Sequence, residues 1–159
     1  MTQEEIIAFV AGLGDDVLVL RPAVGDGTPP ISWGDTFFYV SPDGTVPARR
    51  QPFATIVTKD YPGDTSSRLD RPGVFRLNIA VGRDEVRRHV GQDPAGVDPA
   101  AADTVFAHPV YGGAGWLAVV DPGTRTASLV RDLLVAAHRR DQGRGTRRVT
   151  TDPAADGPG

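Results

Sequence analysis

Val74-Phe75-Arg76-Leu77-Asn78-Ile79-Ala80-Val81 is the stretch that decides the fold. Successive side chains of an extended strand point to opposite faces, so Phe75, Leu77, Ile79 and Val81 share one side and Val74, Arg76, Asn78 and Ala80 the other. An apolar face backed by one that carries an arginine and an amide predicts an antiparallel strand, covered on one side and partly open to water on the other.

Reading outward from it, the upstream chain holds three more β-type runs. These are Phe53 to Thr58, Trp33 to Val40, which stops at the turn Ser41-Pro42-Asp43-Gly44, and Val17 to Leu20, closed by Arg21-Pro22. Val24 to Pro30 is a Gly/Asp/Pro loop. At the start, Thr2 can cap a helix with Glu5 completing a capping box, and Ile6, Ile7, Val10 and Leu13 recur at helical spacing before Gly12 and Gly14 end it. Downstream, Asp84 to Val90 reads as a short helix capped near Gly82 to Asp84, and Asp93 to Asp103 as a Pro/Ala loop or weak helical turn. Strands near Thr104–Phe106 and Trp116–Val120 follow. A closing helix from about Thr126 to Arg139 turns Leu129, Val130, Leu133, Leu134 and Ala137 inward. Most connections are too short for helical crossovers. The expectation is an α+β fold: an antiparallel sheet of about five or six strands, with helices from both ends of the chain packed mainly on one face.

Composition bounds the function. The chain has 159 residues, of which 40% are hydrophobic, enough for one domain spanning 1–140. From Asp141 onward there is one valine and no aromatic residue, and 141–159 reads as a disordered Gly/Pro/Arg/Asp-rich tail. Zero cysteines exclude disulfides, thiol nucleophiles and thiolate metal sites. No apolar run spans a membrane, and Met1-Thr2-Gln3-Glu4-Glu5 lacks the features of a signal peptide, so a cytoplasmic protein is expected. A net charge of −3 argues against a broad grip on nucleic acid. Lys59 is the only lysine, and the Arg, Ala, Gly, Pro and Asp usage points to a GC-rich bacterial genome.

The strings WGDTFFYV (33–40), PFATIVTKDYPGDTSSRLDRPGVFRLNIAVGR (52–83) and HPVYGGAGWLAVVDPG (108–123) resemble an uncharacterised bacterial family, domain of unknown function number 6194. The resemblance covers Thr2 to about Arg139, and it implies no activity. More distantly, His108 through Trp116 followed by the helix Leu129 to Ala137 is similar to MmcQ/YjbR-like small α+β domains, a resemblance that implies an antiparallel sheet and a DNA-binding role.

Motifs for catalysis are missing. There is no phosphate loop of the type G-x-x-x-x-G-K-[ST] and no G-x-S-x-G elbow, Gly112-Gly113-Ala114-Gly115 opens no helix, and His89, His108 and His138 lack metal-ligand spacing. No metal or cofactor is expected. The loop Lys59 to Arg71 is the most polar candidate: Lys59, Tyr61, Ser66, Arg68 and Arg71 can hold an anionic group by charge-assisted hydrogen bonds, or simply pair with neighbouring charges in turn structure. Arg76 and Asn78 on the following strand, with His108 and Trp116, can extend that surface. Trp33, Asp35, Phe37 and Tyr39 are expected on one strand face, with Asp35 either a desolvated base or an edge carboxylate paired with an arginine. His108 at a strand end suits acid–base work or a structural bond to a loop carbonyl, His89 a helix surface, and His138 the end of the last helix. The basic run Arg139, Arg140, Arg144, Arg147 and Arg148 lacks interleaved aromatics and reads as a solvated tail.

The leading expectation is a non-enzymatic domain that binds a small anionic ligand or a protein partner through the 59–71 loop and the adjacent strand face. The alternative is a small acid–base enzyme centred on His108 with Asp35 or Asp60, which must then converge on one substrate position. A third reading, DNA binding, follows from the MmcQ/YjbR-like resemblance and requires a continuous basic face.

Overall fold

The computed structural model describes residues 1–91 and 96–151, with the side chains of the last helix described as far as Arg144. The chain runs through α1 (Gln3–Ala11), β1 (Val17–Leu20), β2 (Thr36–Val40), β3 (Ala54–Val57), β4 (Arg76–Ala80), α2 (Arg83–Val90), β5 (Val105–Ala107), β6 (Trp116–Val120) and α3 (Ala127–Thr151), with short 3-10 turns at Pro30–Ser32 and Gly112–Ala114. All six strands join one antiparallel sheet in the order β1-β2-β3-β4-β6-β5. The fold is α+β. No helix among the described residues is long and apolar enough to cross a membrane.

Register sorts the side chains into two faces. Phe38, Ala54, Ile79 and Leu117 line up across four neighbouring strands, as do Ile56, Leu77 and Val119 across three. These residues form one buried cluster with Ile6, Ile7 and Val10 of α1 and Val130, Leu133, Leu134 and Ala137 of α3. The Thr2 hydroxyl accepts from the Glu5 N–H at 3.1 Å, the helix start that the capping pattern predicts. At the other end of the fold Asp103 fixes the turn that leads into α3. Its carboxylate accepts from the backbone N–H groups of Gly123, Arg125 and Thr126 and from the Thr126 hydroxyl, although Asp103 itself must take φ 53° to reach them. Burial pushes its carboxyl up, but those hydrogen bonds outweigh it and hold the pKa down to about 2.

The opposite face corrects the expectation drawn from β4. Arg76 is 1% exposed and Asn78 3%, so the polar side of the strand is as buried as the apolar one. The cover is the 59–74 segment, whose Leu69 joins Val57, Phe106, Ala118 and Val120 in a second apolar cluster with Tyr61 and Val74 at its margin. A loop has no periodicity, and so β4 carries no mark of its second cover.

The last helix also departs from its expected end near Arg139. It continues to Thr151, past the boundary at 140. Two long-range ties hold its continuation: the Gln142 amide donates to Asp16 at 2.7 Å, and Arg50 reaches both the Asp141 carbonyl at 2.7 Å and its carboxylate at 2.8 Å. His138 therefore sits inside the helix, buried and 2.9 Å from Asp16, rather than at its terminus. Residues 152–159 of the expected disordered tail, and 92–95 of the segment between α2 and β5, lie outside the described residues.

Candidate functional site

Arg76 organises the loop-covered face. A guanidinium carries five N–H bonds in a planar fork. Here Nε donates to the Asn78 carbonyl at 2.8 Å, Nη1 to Asp64 at 3.0 Å and to the Ser67 hydroxyl at 3.0 Å, and Nη2 to the other Asp64 oxygen at 2.5 Å. Asn78 in turn donates to the Thr55 hydroxyl at 2.9 Å, along the register that pairs those residues. The fork thus ties the 59–71 loop, through Asp64 and Ser67, to the middle of the sheet. Burial raises the Asp64 carboxyl, and the Arg76 fork more than reverses that, keeping it ionised.

His108 closes the network from β5. It is 5% exposed, and its Nδ1 accepts from the backbone N–H groups of Val110 and Tyr111, each at 3.0 Å. Its Nε2 lies 3.0 Å from Arg76 Nη2 and 3.7 Å from the Asp64 carboxylate. Burial and the neighbouring guanidinium push the imidazole down to about 4 against the weaker pull of Asp64. His108 is neutral at physiological pH and serves as a bridge between strand end and loop.

A second polar cluster lies beside it. Asp35, 1% exposed, takes the Thr58 N–H and hydroxyl at 2.8 Å each, the Lys59 ammonium at 2.7 Å, and the Tyr61 hydroxyl. The partner of Asp35 is a lysine, where the sequence suggested an arginine. Burial, then Asp35 itself, pushes the Tyr61 phenol strongly upward, so Tyr61 acts as a fixed donor. Trp33 lies outside β2, in the turn before it, and its indole donates to Thr28 at 3.2 Å.

The expected site residues therefore separate into groups. Lys59 and Tyr61 turn to Asp35, while Arg76, Asn78 and His108 share the buried network. Arg71 folds back onto the loop carbonyls of Arg68 at 2.7 Å and Ser67 at 3.2 Å. Ser66 and Arg68 face solvent at the loop's outer rim, and Arg68 holds φ 50°, a left-handed conformation that costs a non-glycine residue roughly 1 kcal/mol or more. Trp116 stands apart, paired with Ala80 at the far end of β4, about 13 Å along the strand from Arg76. Of the acid–base candidates, Asp60 accepts from the Leu69 N–H at 2.8 Å, and His108 bonds neither Asp60 nor Asp35. Asp64 and Ser67, the residues that fix the loop, carry no signal in sequence beyond lying in a polar stretch.

These features define a small antiparallel α+β domain whose second sheet face is a loop-capped polar core. The chain belongs to DUF6194, a family of unknown function, whose model matches residues 1–150. No curated protein and no solved structure matches it, and the more distant likeness to MmcQ/YjbR-like domains finds no support in these comparisons.

Proposed function

We propose that the protein is a non-enzymatic binding domain that presents the outer rim of the 59–71 loop, with Ser66 and Arg68 at its apex, to an acidic or phosphorylated group on a partner. The observation that carries this reading is the contrast within the loop. Its underside is locked by the buried Asp64–Arg76–Ser67 bonds, while its rim keeps an arginine exposed in a left-handed conformation. A long irregular loop held this firmly is pre-organised, which lowers the ordering cost of recognition. Loss of mobility would otherwise be an odd use of a buried ion pair, since such pairs contribute little net stability.

The acid–base alternative draws less support. The Asp35 carboxylate is occupied on both oxygens, Asp60 caps a loop N–H, and the His108 Nδ1 lone pair is engaged by two backbone donors. Each carries a structural bond that catalysis would have to break.

Titration of the ¹⁵N-labelled protein with inorganic phosphate and with a hexaglutamate peptide tests the proposal. The expected result is a set of amide shifts centred on Thr65 to Arg68 that disappears in Arg68→Ala. Shifts elsewhere only, or shifts that survive Arg68→Ala, would overturn it.

A further inference from the structure

The sheet has two edges, and the chain protects only one of them. β5, at one end, has three residues, runs straight into His108-Pro109, and is covered on both sides. Its Val105 and Ala107 pack against the helix-side core, and Phe106 is buried in the loop-side cluster. Short length, proline and cover are the usual means of blunting an edge. β1, at the other end, is Val17-Leu18-Val19-Leu20, with neither a charge nor a proline within it, and all four residues are half-buried. The Asp16 carbonyl accepts from the Ser41 N–H at 2.7 Å and the Pro22 carbonyl from the Gly34 N–H at 3.2 Å, so the even-numbered residues turn their backbones to β2. The odd-numbered ones turn theirs outward, where β1 has no neighbour among the described residues. The Val17 N–H bends back to the Gly14 carbonyl at 3.3 Å, which leaves the Val17 carbonyl and both backbone groups of Val19 on the open edge.

The side chains beside that edge point the same way. Register sets Leu18 opposite Tyr39 and Leu20 opposite Phe37 on the loop side of the sheet. All four are half-buried, and none joins either core cluster: the 59–74 segment gathers Val57, Phe106, Ala118 and Val120 and leaves this corner out. Two rows of apolar side chains beside an open edge suit a further strand laid alongside. The ends of β1 say which strand. Asp15 and Arg21 flank the apolar run, both exposed and opposite in sign. A strand so charged complements itself when it pairs antiparallel with its own copy. In the register centred on Leu18, the Val19 N–H meets the open Val17 carbonyl of the second copy, twice over by symmetry. Leu18 then faces Leu18, and Asp15 faces Arg21. Arg21 already holds Glu4, in a solvent-exposed pair, and its guanidinium has further N–H bonds for a second carboxylate.

We infer that the protein is a homodimer joined through β1, two antiparallel copies of which merge the two six-stranded sheets into one. Four residues pair over only about 13 Å, too short an edge to hold alone, and Leu18, Leu20, Phe37 and Tyr39 of both chains supply the apolar remainder. No residue of this interface belongs to the 59–71 loop, so the two readings stand or fall separately.

Sedimentation velocity on the full chain across a dilution series tests the inference, and a dimer that dissociates on dilution is expected. Val19→Pro removes an N–H that the pairing uses and β2 does not, so it is expected to leave a folded monomer. Leu18→Lys sets two ammonium groups face to face on the two-fold axis and does the same should Val19→Pro fail to fold. Asp15→Arg is expected to raise the dimer dissociation constant roughly tenfold, because two like-charge contacts replace two opposite ones, and adding Arg21→Asp to restore it. Arg131→Asp, exposed on α3, leaves it unchanged. A chain that stays monomeric at the highest concentration overturns the inference. So does a dimer indifferent to both Val19→Pro and Leu18→Lys. A monomer whose Val19 amide is protected from exchange only by an unrelated peptide gives the edge to a different partner and overturns it as well.

Discussion

The two faces of the sheet are equally dry but are held by different physics. On the helix side Phe38, Leu77, Ile79, Leu117 and Val119 meet α1 and α3 through apolar contact alone, a non-directional attraction that grows with area. On the loop side Arg76, Asp64, Ser67, Asn78, Thr55 and His108 meet through directed bonds, each requiring its partner to be present. The difference teaches that burial has two meanings here. Removing an atom from the first face leaves a hole, whereas removing one from the Arg76 network on the second leaves a polar or charged group without its partner.

The comparison breaks most sharply at Arg76. Arg76→Ala strands the half-buried Asp64 carboxylate, and urea denaturation is expected to show a loss of about 3 kcal/mol, the lower end of what breaking a fully buried pair costs. If the cause is the orphaned charge, Arg76→Met combined with Asp64→Leu recovers much of the loss; a double variant as unstable as the single one would mean that the network's shape matters more than its charge. On the helix face Leu134→Ala is expected to cost about 2–5 kcal/mol, with a cost that does not change between pH 7 and pH 5.

The pH dependence sharpens the contrast. His108 titrates near 4 in the folded chain against 6.5 when unfolded, so the unfolded state takes up the proton first as pH falls. Its contribution is complete above pH 6.5 and lost progressively down to about 4. Melting temperatures measured across that window are expected to fall more steeply for the native chain than for His108→Gln. The smallest effect belongs to the turn that leads into α3. Asp103→Ala is expected to cost about 1 kcal/mol at pH 7, the net worth of a hydrogen bond to the turn it holds. Because the folded carboxyl sits near 2, below its ordinary 3.8, the difference between Asp103→Ala and native protein fades as pH drops from about 4 to 2.

Much of the helix face was legible from residue spacing. The period-two alternation of Phe75 to Val81 and the stripe Ile6, Ile7, Val10 state which side chains go inward, since a regular element repeats its geometry at every turn or pleat. The loop face was not legible in that way. Arg76 and Asn78 read as solvated because the segment that covers them has no repeat, and the partners Asp64 and Ser67 are fixed by one irregular turn. The same reason hides the end of α3, which depends on Asp16 and Arg50, both about a hundred residues away. Of the candidate site, the loop as a polar unit was visible in sequence. The division of its residues between Asp35, Arg76 and solvent was not.

The order of the strands bears on how the chain comes together during synthesis. β1 to β4 pair consecutively, but β4's other neighbour is β6, made only after α2 and β5, and the apolar stripe of α1 is completed by α3, the last element of all. A nascent chain emerging from the ribosome therefore carries Ile6, Ile7 and Val10 without their α3 cover until the end of translation, with one edge of β4 unpaired. Productive folding waits on the carboxyl-terminal third, and a ribosome stalled before residue 116 would hold a sticky half-sheet, a natural client for chaperones.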